Sequence, residues 1–213
     1  MSKPVILLGS GGHAKVLLDI LRRSGVKLLG IVDPHREPTS LWANYPVLGH
    51  DNVVYDYAPD TIELINGIGS LPGDLGIRQQ IYARFKASGY QFRSVIDPLA
   101  FIAAEVVLAE GVQIMAGAIL QPGVSIGVNS IINTGSIIEH DCQLGLDVHI
   151  APGAVLSGGV SVGDRVHIGT GASVIQNITI GHDSLIGAGA VVTCHIANHQ
   201  IVYPARSQIQ DKA

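Results

Sequence analysis

Between residues 126 and 168 the chain reads IGVNSI INTGSI IEHDCQ LGLDVH IAPGAV LSGGVS VGDRVH I, written in blocks of six. Each block opens on an aliphatic residue. Followed outward in both directions, the pattern runs without a miss from Ile96 through Ile102, Leu108 and Ile114 to Ile180, Ile186 and Val192. Four residues after each aliphatic comes a small or β-branched residue, such as Ala100, Val124, Ser136, Cys142 or Val148. Glycine often follows the aliphatic directly, as at Gly127, Gly145, Gly163, Gly169, Gly181 and Gly187. A six-residue period fits neither an isolated helix nor a two-residue strand alternation. It fits a chain that runs briefly extended, turns a corner and repeats, which is the hexapeptide pattern of a parallel β-helix.

The physical logic is a stack. Each hexad supplies one short β-segment whose aliphatic and small residues point into a narrow interior, and neighbouring coils must bury what one hexad cannot. Three hexads per coil would put residues 18 apart directly above one another, about 4.8 Å along the stack, giving a little over five coils. Glycine is expected at the corners, where positive φ costs little without a Cβ. An ordinary β-sandwich would not keep seventeen aliphatics in strict register.

Composition agrees with a slim aliphatic core: of 213 residues, 47% are hydrophobic, 14% charged and 5% aromatic. A formal charge of −4 with no cluster of Lys or Arg argues against nucleic acid or an anionic membrane as partner. Two cysteines, Cys142 and Cys194, give no disulfide framework, so a reducing cytoplasmic setting is expected. The apolar run Val5–Leu8 is too short for a signal sequence or a membrane span.

Before Ser94 the period is absent, and we divide the chain into an α/β domain over 1–94 and the β-helix with its tail over 95–213. Val5–Leu8 reads as a buried strand, followed by Gly9-Ser10-Gly11-Gly12-His13 and an amphipathic helix from Ala14 to about Ser24. Leu28–Val32 reads as a strand ending at Asp33-Pro34. A proline-rich connection follows, then a strand at Thr61–Ile65 leading to Gly67-Ile68-Gly69, a helix from Ile77 to about Ser88 and a strand at Phe92–Ile96. The alternation predicts a small parallel, Rossmann-like sheet. The glycine loop lets a ligand approach the backbone, and the helix N-terminus offers N–H groups to an anion. Gly9-x-Gly11-x-x-Ala14 with Asp33 imitates a dinucleotide fingerprint. Some ninety residues supply only half of such a fold, so a nucleotide or nucleotide-sugar site is the better reading, with Asp33 placed to accept from a ribose or base.

Of nine histidines, His140 stands out in Ile138-Glu139-His140-Asp141-Cys142, outward-facing with an acid on each side. An imidazole beside a carboxylate is the usual general base near neutral pH. His149 follows nine residues on, and His167 should stack on His149 one coil later. That pair is the candidate for a metal, but one column of two histidines does not supply three converging ligands, and no metal is expected.

The opening Gly-Ser-Gly-Gly-His-Ala-Lys, followed by hexads carrying Asn133-Thr134-Gly135-Ser136-Ile137-Ile138-Glu139-His140-Asp141-Cys142, closely resembles the PglD/NeuD-type bacterial sugar acetyltransferases over nearly the whole chain. The resemblance implies a left-handed β-helix, a cytoplasmic homotrimer with active sites at subunit interfaces, and acetyl-CoA as co-substrate with no permanently bound cofactor. It implies N-acetylation of a nucleotide-linked, UDP-borne 4-amino-4,6-dideoxy sugar for surface glycans. O-acetylation of sialic acid or another sugar hydroxyl is the alternative. Carried over by position, His140 is the general base and Asp141 the acid that raises its basicity. His149, Gly158, Thr170 and Ala188 lie along acetyl-CoA. Gly11, Gly12 and His13 form the phosphate loop of the nucleotide-sugar site, Asp33 and Pro34 its base-proximal strand end, and Gly67, Ile68, Gly69 and Arg78 the rest of that pocket. Val202-Tyr203-Pro204-Ala205-Arg206 departs from the family, whose members carry a glycine in this turn. A purely structural hexapeptide scaffold is disfavoured, because it needs neither an acid-flanked histidine nor a glycine phosphate loop.

Overall fold

The computed structural model describes residues 3–70 and 76–205. The N-terminal region is built on β1 (Val5–Leu8), α1 (Gly12–Arg23), β2 (Leu28–Val32), β3 (Leu41–Trp42), β4 (Tyr45–Gly49), β5 (Glu63–Asn66) and α2 (Ile77–Ala87). The strand order is β3-β4-β2-β1-β5, with β1 parallel to β2 and β5, and β2 parallel to β4. The expected all-parallel sheet is corrected at its edge. The proline-rich connection folds into an antiparallel β3–β4 pair, turned at Ala43 and Asn44, both at positive φ. A two-residue turn of that kind matches the twist of the strands it joins. The strand read at Phe92–Ile96 is also corrected. Phe92 makes only a bridge to Leu64 in the first sheet, and Val95–Ile96 already pairs with Gln113–Ile114 of the repeats.

From Val95 on, two-residue strands recur every six residues and stack at a spacing of 18, as in Ile119↔Ile137 and Ile137↔Val155. Among the described residues they form three parallel sheets of seven, six and five strands, the faces of a triangular prism. The first face starts at Val95–Ile96, the second at Phe101–Ile102 and the third at Val107–Leu108. The second residue of each strand points inward. Ile114, Leu120, Ile132, Ile138, Ile150, Leu156 and Ile168 are all fully buried, together with the small residues Ala118, Cys142 and Ala154. Ile96, in the opening coil, is the exposed exception at 40%, because no coil lies above it.

The corners correct the reading of the glycines. From Gly111 to Gly189 every sixth residue has positive φ, but Asn129, Asp141, Asp147, Arg165, Asn177 and Asp183 share these positions with glycine. Asn and Asp tolerate the left-handed region better than other side chains. The glycines that follow the aliphatics serve another purpose. A β-carbon at Gly127 would meet the Leu146 amide nitrogen at 2.7 Å, and one at Gly163 the His182 nitrogen at 2.6 Å. They permit coils to approach, and their φ is ordinary.

The sheet of the N-terminal region packs on the first face. Val5, Leu7, Ala14, Leu17 and Ile65 share a core cluster with Val95, Met115 and Ile131. No helix among the described residues is long and apolar enough to cross a membrane.

Candidate active site

Among the described residues, the expected site residues gather chiefly in two places. The first is a cleft of about 710 Å³ at the C-terminal ends of β1, β2 and β5. Gly11, Gly12 and His13 form one wall, Asp33 and Pro34 a second, and Gly67, Ile68 and Gly69 a third. Eight of the nine residues expected in a nucleotide-sugar pocket thus come together. The helix α1 begins at this loop with no side-chain cap and no acid in its first turn. Its first N–H groups therefore have no intrahelical acceptor and offer a favourable dipole to an anion. Burial pushes the Asp33 carboxyl up, but the Ser10 hydroxyl and the backbone N–H groups of His35 and Ser10 outweigh it, leaving the carboxyl below its ordinary value.

Arg78 departs from expectation. It is 2% exposed and points away from the cleft, donating to the backbone oxygens of Asn66, Ile68 and Asn129. Burial lowers its pKa to about 9. It is a strut between the sheet and the corner of the prism at Asn129. A charged residue is usually exposed, so nothing in the sequence marked this role. Residues that line the cleft but escaped the sequence reading are Ser10, His35, Asp51, Ile77 and Ile81. Ser10 was within the glycine loop and adjacent to the signal; Asp51 and His35 carried none.

Gly12, His13 and Gly69 also line a second, smaller recess of about 260 Å³, together with Ser70, Asn133 and His149. Two histidines there have fixed tautomers. Gln113 Nε2 donates to the Asn66 carbonyl at 2.7 Å, so its Oε1 must be the acceptor for His13 Nε2 at 2.7 Å. His13 is then Nε2-protonated, and burial lowers its pKa from 6.5 to about 4. The neutral ring keeps a lone pair on Nδ1, so in this loop phosphate must be met by backbone N–H groups and not by an imidazolium. His149 Nδ1 donates to the Ser70 carbonyl at 2.8 Å, leaving Nε2 as an acceptor. Burial, then His167, lowers its pKa to about 3. His149 and His167 do stack as neighbours in register, with ring centroids 4.7 Å apart and steeply tilted.

The second place is the corner between the second and third faces. His140 and Asp141 turn from Ile137–Ile138 into Gln143–Leu144. Asp141 is at φ 62, and its Oδ2 lies 2.8 Å from His140 Nδ1. A carboxylate only accepts, so Nδ1 carries the proton and Nε2 keeps its lone pair. Both side chains are open to solvent, 64% and 73% exposed. One coil on, Gly158 lies against the imidazole: a β-carbon there would stand 2.5 Å from His140 Cε1 and nearer still to Nε2. The Gly158 N–H has no hydrogen-bond partner among the described residues.

The topology keeps these two places apart within one chain. The cleft and the recess sit on the first face, whereas the His140 corner is the edge of the prism opposite that face. Thr170 and Ala188 lie on a third line, the corner between the first and second faces. The tail turn reaches the same region, since Pro204 packs on Gly187, where a β-carbon would meet its Cδ at 2.7 Å. Arg206 of that turn lies outside the described residues. The outward residues of the second face form an apolar column, Phe101, Ile119, Ile137, Val155 and Val191, interrupted by Ser173, with Phe101 and Val191 more than half exposed. The third face presents Val107 in its first coil and then Ser125, Gln143, Ser161 and Thr179.

Residues 4–85 match the PglD N-terminal domain, and residues 136–176 and 159–194 match the hexapeptide repeat of succinyl-transferase. A histidine-to-asparagine variant of perosamine N-acetyltransferase from Caulobacter crescentus, solved with CoA and GDP-perosamine, is 36% identical, with 99% of each chain covered and a TM-score of 0.86. The acetyltransferase domain of PglB from Neisseria gonorrhoeae, solved with acetyl coenzyme A, is 31% identical over 98% of this chain and 100% of that one, with a TM-score of 0.85. WeeI from Acinetobacter baumannii, at 24% identity over 94% of this chain and 96% of that one, shares the fold with a TM-score of 0.83.

Proposed function

Because this chain belongs to the PglD-type sugar acetyltransferases with a left-handed hexapeptide β-helix, we propose that it moves the acetyl group of acetyl-CoA to the 4-amino group of a nucleotide-linked 4-amino-4,6-dideoxy sugar. The observation that carries this reading is the His140 corner: an imidazole oriented by Asp141, with Nε2 unencumbered above the Gly158 amide. The amine lone pair adds to the thioester carbonyl, and nitrogen gains positive charge as the bond forms. His140 Nε2 takes the amine proton. The Gly158 N–H, without a partner among the described residues, is the candidate donor to the oxyanion. Collapse breaks the carbon–sulfur bond, and the thiolate of CoA leaves and recovers a proton from the imidazolium. No acyl-enzyme is needed.

The chain works as a homotrimer in this reading. The apolar column on the second face needs cover, and threefold rotation covers all copies at once. With the second faces turned inward, the His140 corner of one subunit abuts its neighbour's corner carrying Thr170 and Ala188, beside the neighbour's first face with His149 and the glycine cleft. Acetyl-CoA then lies along the seam, and the nucleotide sugar reaches His140 from the neighbour's cleft. This arrangement brings together residues that a single chain keeps on opposite sides, and binding both substrates there supplies the proximity term.

The Caulobacter relative was solved with GDP-perosamine, so a GDP-linked amino sugar is the first substrate to test beside the UDP-linked one expected from sequence. The test is a thiol-release assay with acetyl-CoA and, in turn, a GDP-4-amino sugar, a UDP-4-amino sugar and free sialic acid. Turnover with one of the nucleotide amino sugars and N-acetylated product supports the proposal. Turnover only with sialic acid moves the activity to O-acetylation and overturns it.

A further inference from the structure

A third cluster lies away from both places, where the last coil of the prism closes. His182 and Asp183 occupy the corner between Thr179–Ile180 and Leu185–Ile186, on the edge shared by the third and first faces. The next coil is two residues short: Ile180 pairs with Ile196 and Leu185 with Ile201, spacings of 16 in place of 18. The shortening brings His199 over this corner, where its backbone N–H donates to the His182 carbonyl at 2.9 Å. The two imidazoles face each other at 4.8 Å between centroids, nearly perpendicular. Nδ1 of His182 lies 2.7 Å and Nδ1 of His199 3.8 Å from one oxygen, Asp183 Oδ2. One donor atom from each of the three residues falls within 4.8 Å of the other two.

We propose that His182, Asp183 and His199 hold a divalent transition-metal ion that staples the shortened last coil to the coil before it. The donor set decides the class of ion. Two imidazole nitrogens and one carboxylate oxygen suit Zn²⁺, Co²⁺ or Ni²⁺, whereas Mg²⁺ and Ca²⁺ require oxygen-rich shells. With metal–ligand bonds of about 2.1 Å, tetrahedral donors stand roughly 3.4 Å apart, so His182 Nδ1, at 2.7 Å, must back away slightly from Oδ2 while His199, 68% exposed, swings inward from 3.8 Å. Arg165 donates to Asp183 through Nε to Oδ1 at 2.6 Å and Nη2 to Oδ2 at 2.8 Å. The guanidinium's charge opposes a cation. The ion must therefore take Oδ2 from Nη2, while the Nε–Oδ1 bond remains and orients the carboxylate from behind. Three ligands on one surface edge leave positions for water, which makes this a stabilising site of moderate affinity. The edge is opposite the apolar second face, so trimer formation leaves it accessible. The inference does not rest on the enzymatic reading.

The experiment uses the full chain without a histidine tag, stripped with chelator. Titration with Zn²⁺ by calorimetry should give one saturable site per chain, and saturating Zn²⁺ should raise Tm by about 5 °C. Co²⁺ should give visible absorption with nitrogen ligation. His199→Gln, which keeps the Arg165–Asp183 pair intact, should abolish the site and the Tm rise, and His182→Gln should do the same. His140→Ala should retain both, which separates this cluster from the exposed His140–Asp141 pair. Absence of saturable binding overturns the proposal, as does binding that survives in both the His199 and His182 variants.

Discussion

Gly158 and His140 are stacked one coil apart so closely that no side chain fits between them: a β-carbon on Gly158 would stand 2.5 Å from the imidazole Cε1. The absence of a side chain at 158 is therefore a condition for where His140 Nε2 sits. Gly158 lies outside the positive-φ positions of the corners, so alanine is conformationally acceptable there. Gly158→Ala should leave melting behaviour unchanged and lower kcat by about 10²-fold, by displacing the imidazole from the amide beneath it. Wild-type kcat in this variant would separate the pair functionally.

Removing the imidazole itself should cost more. His140→Ala should reduce kcat by about 10²–10⁴ and leave the oligomer and Tm nearly unaltered, because the side chain is mostly solvent-exposed. Asp141→Asn should cost less, since the ring survives and only its orienting acceptor is weakened. Steady-state kinetics at saturating substrates check the ranking. A larger loss for Asp141→Asn than for His140→Ala would contradict it.

Gly12 faces the cleft with nothing within 4 Å of a β-carbon, so a bulky residue there folds but fills the ligand space. Gly12→Trp should raise KM for the nucleotide sugar at least tenfold, with acetyl-CoA binding nearly intact. Tight, saturable NAD binding by the wild-type cleft would instead restore the dehydrogenase-like reading of the glycine loop.

The buried histidines make an acid-labile fold. His149 is held at about 3 and His13 at about 4, both below the ordinary 6.5, burial being the main cause. Between pH 6.5 and those values the unfolded chain binds more protons than the folded one. The stability they confer is complete above about pH 6.5 and drains away as pH falls toward the folded values. Tm should therefore drop from about pH 7 to about pH 4.5, and His149→Gln, which can still donate to the Ser70 carbonyl, should flatten the drop. An identical pH profile in that variant would show that His149 is not a source of the lability.

The prism was legible because each of its positions is sampled many times. Ile114, Ile132, Ile150 and Ile168 repeat one environment at a spacing of 18, so the register declares itself. The glycine loop was legible because Gly11 and Gly12 follow an apolar strand and open a helix. What escaped reading were features that occur once. The Ala43–Asn44 turn needs positive φ at Ala43, a residue type that does not advertise it. Arg78 looks like a ligand cation until its carbonyl partners across the two sheets are seen. The corner glycines do take positive φ, but the sequence does not tell them from the glycines that follow the aliphatics, because one residue type serves two purposes, left-handed φ at Gly135 or Gly153 and close approach of coils at Gly127 or Gly163. The separation of His140 from the cleft depends on which face the N-terminal sheet covers, and no periodicity encodes that.

The central claim is that each site is assembled from two subunits, His140 from one and the glycine cleft from the next. Mixing inactive chains tests it most directly. His140→Ala and Gly12→Trp, each with little activity alone, are co-expressed in equal amounts and purified as mixed trimers. Whichever chain is doubled, a mixed trimer has one of its three seams, about a third, with an intact His140 facing an intact cleft. The account predicts acetyl transfer near that fraction of the wild-type rate at low nucleotide-sugar concentration, with a wild-type KM. Mixed trimers no more active than the average of the two parents would contradict it, because a site contained within one chain cannot be rescued by its neighbour.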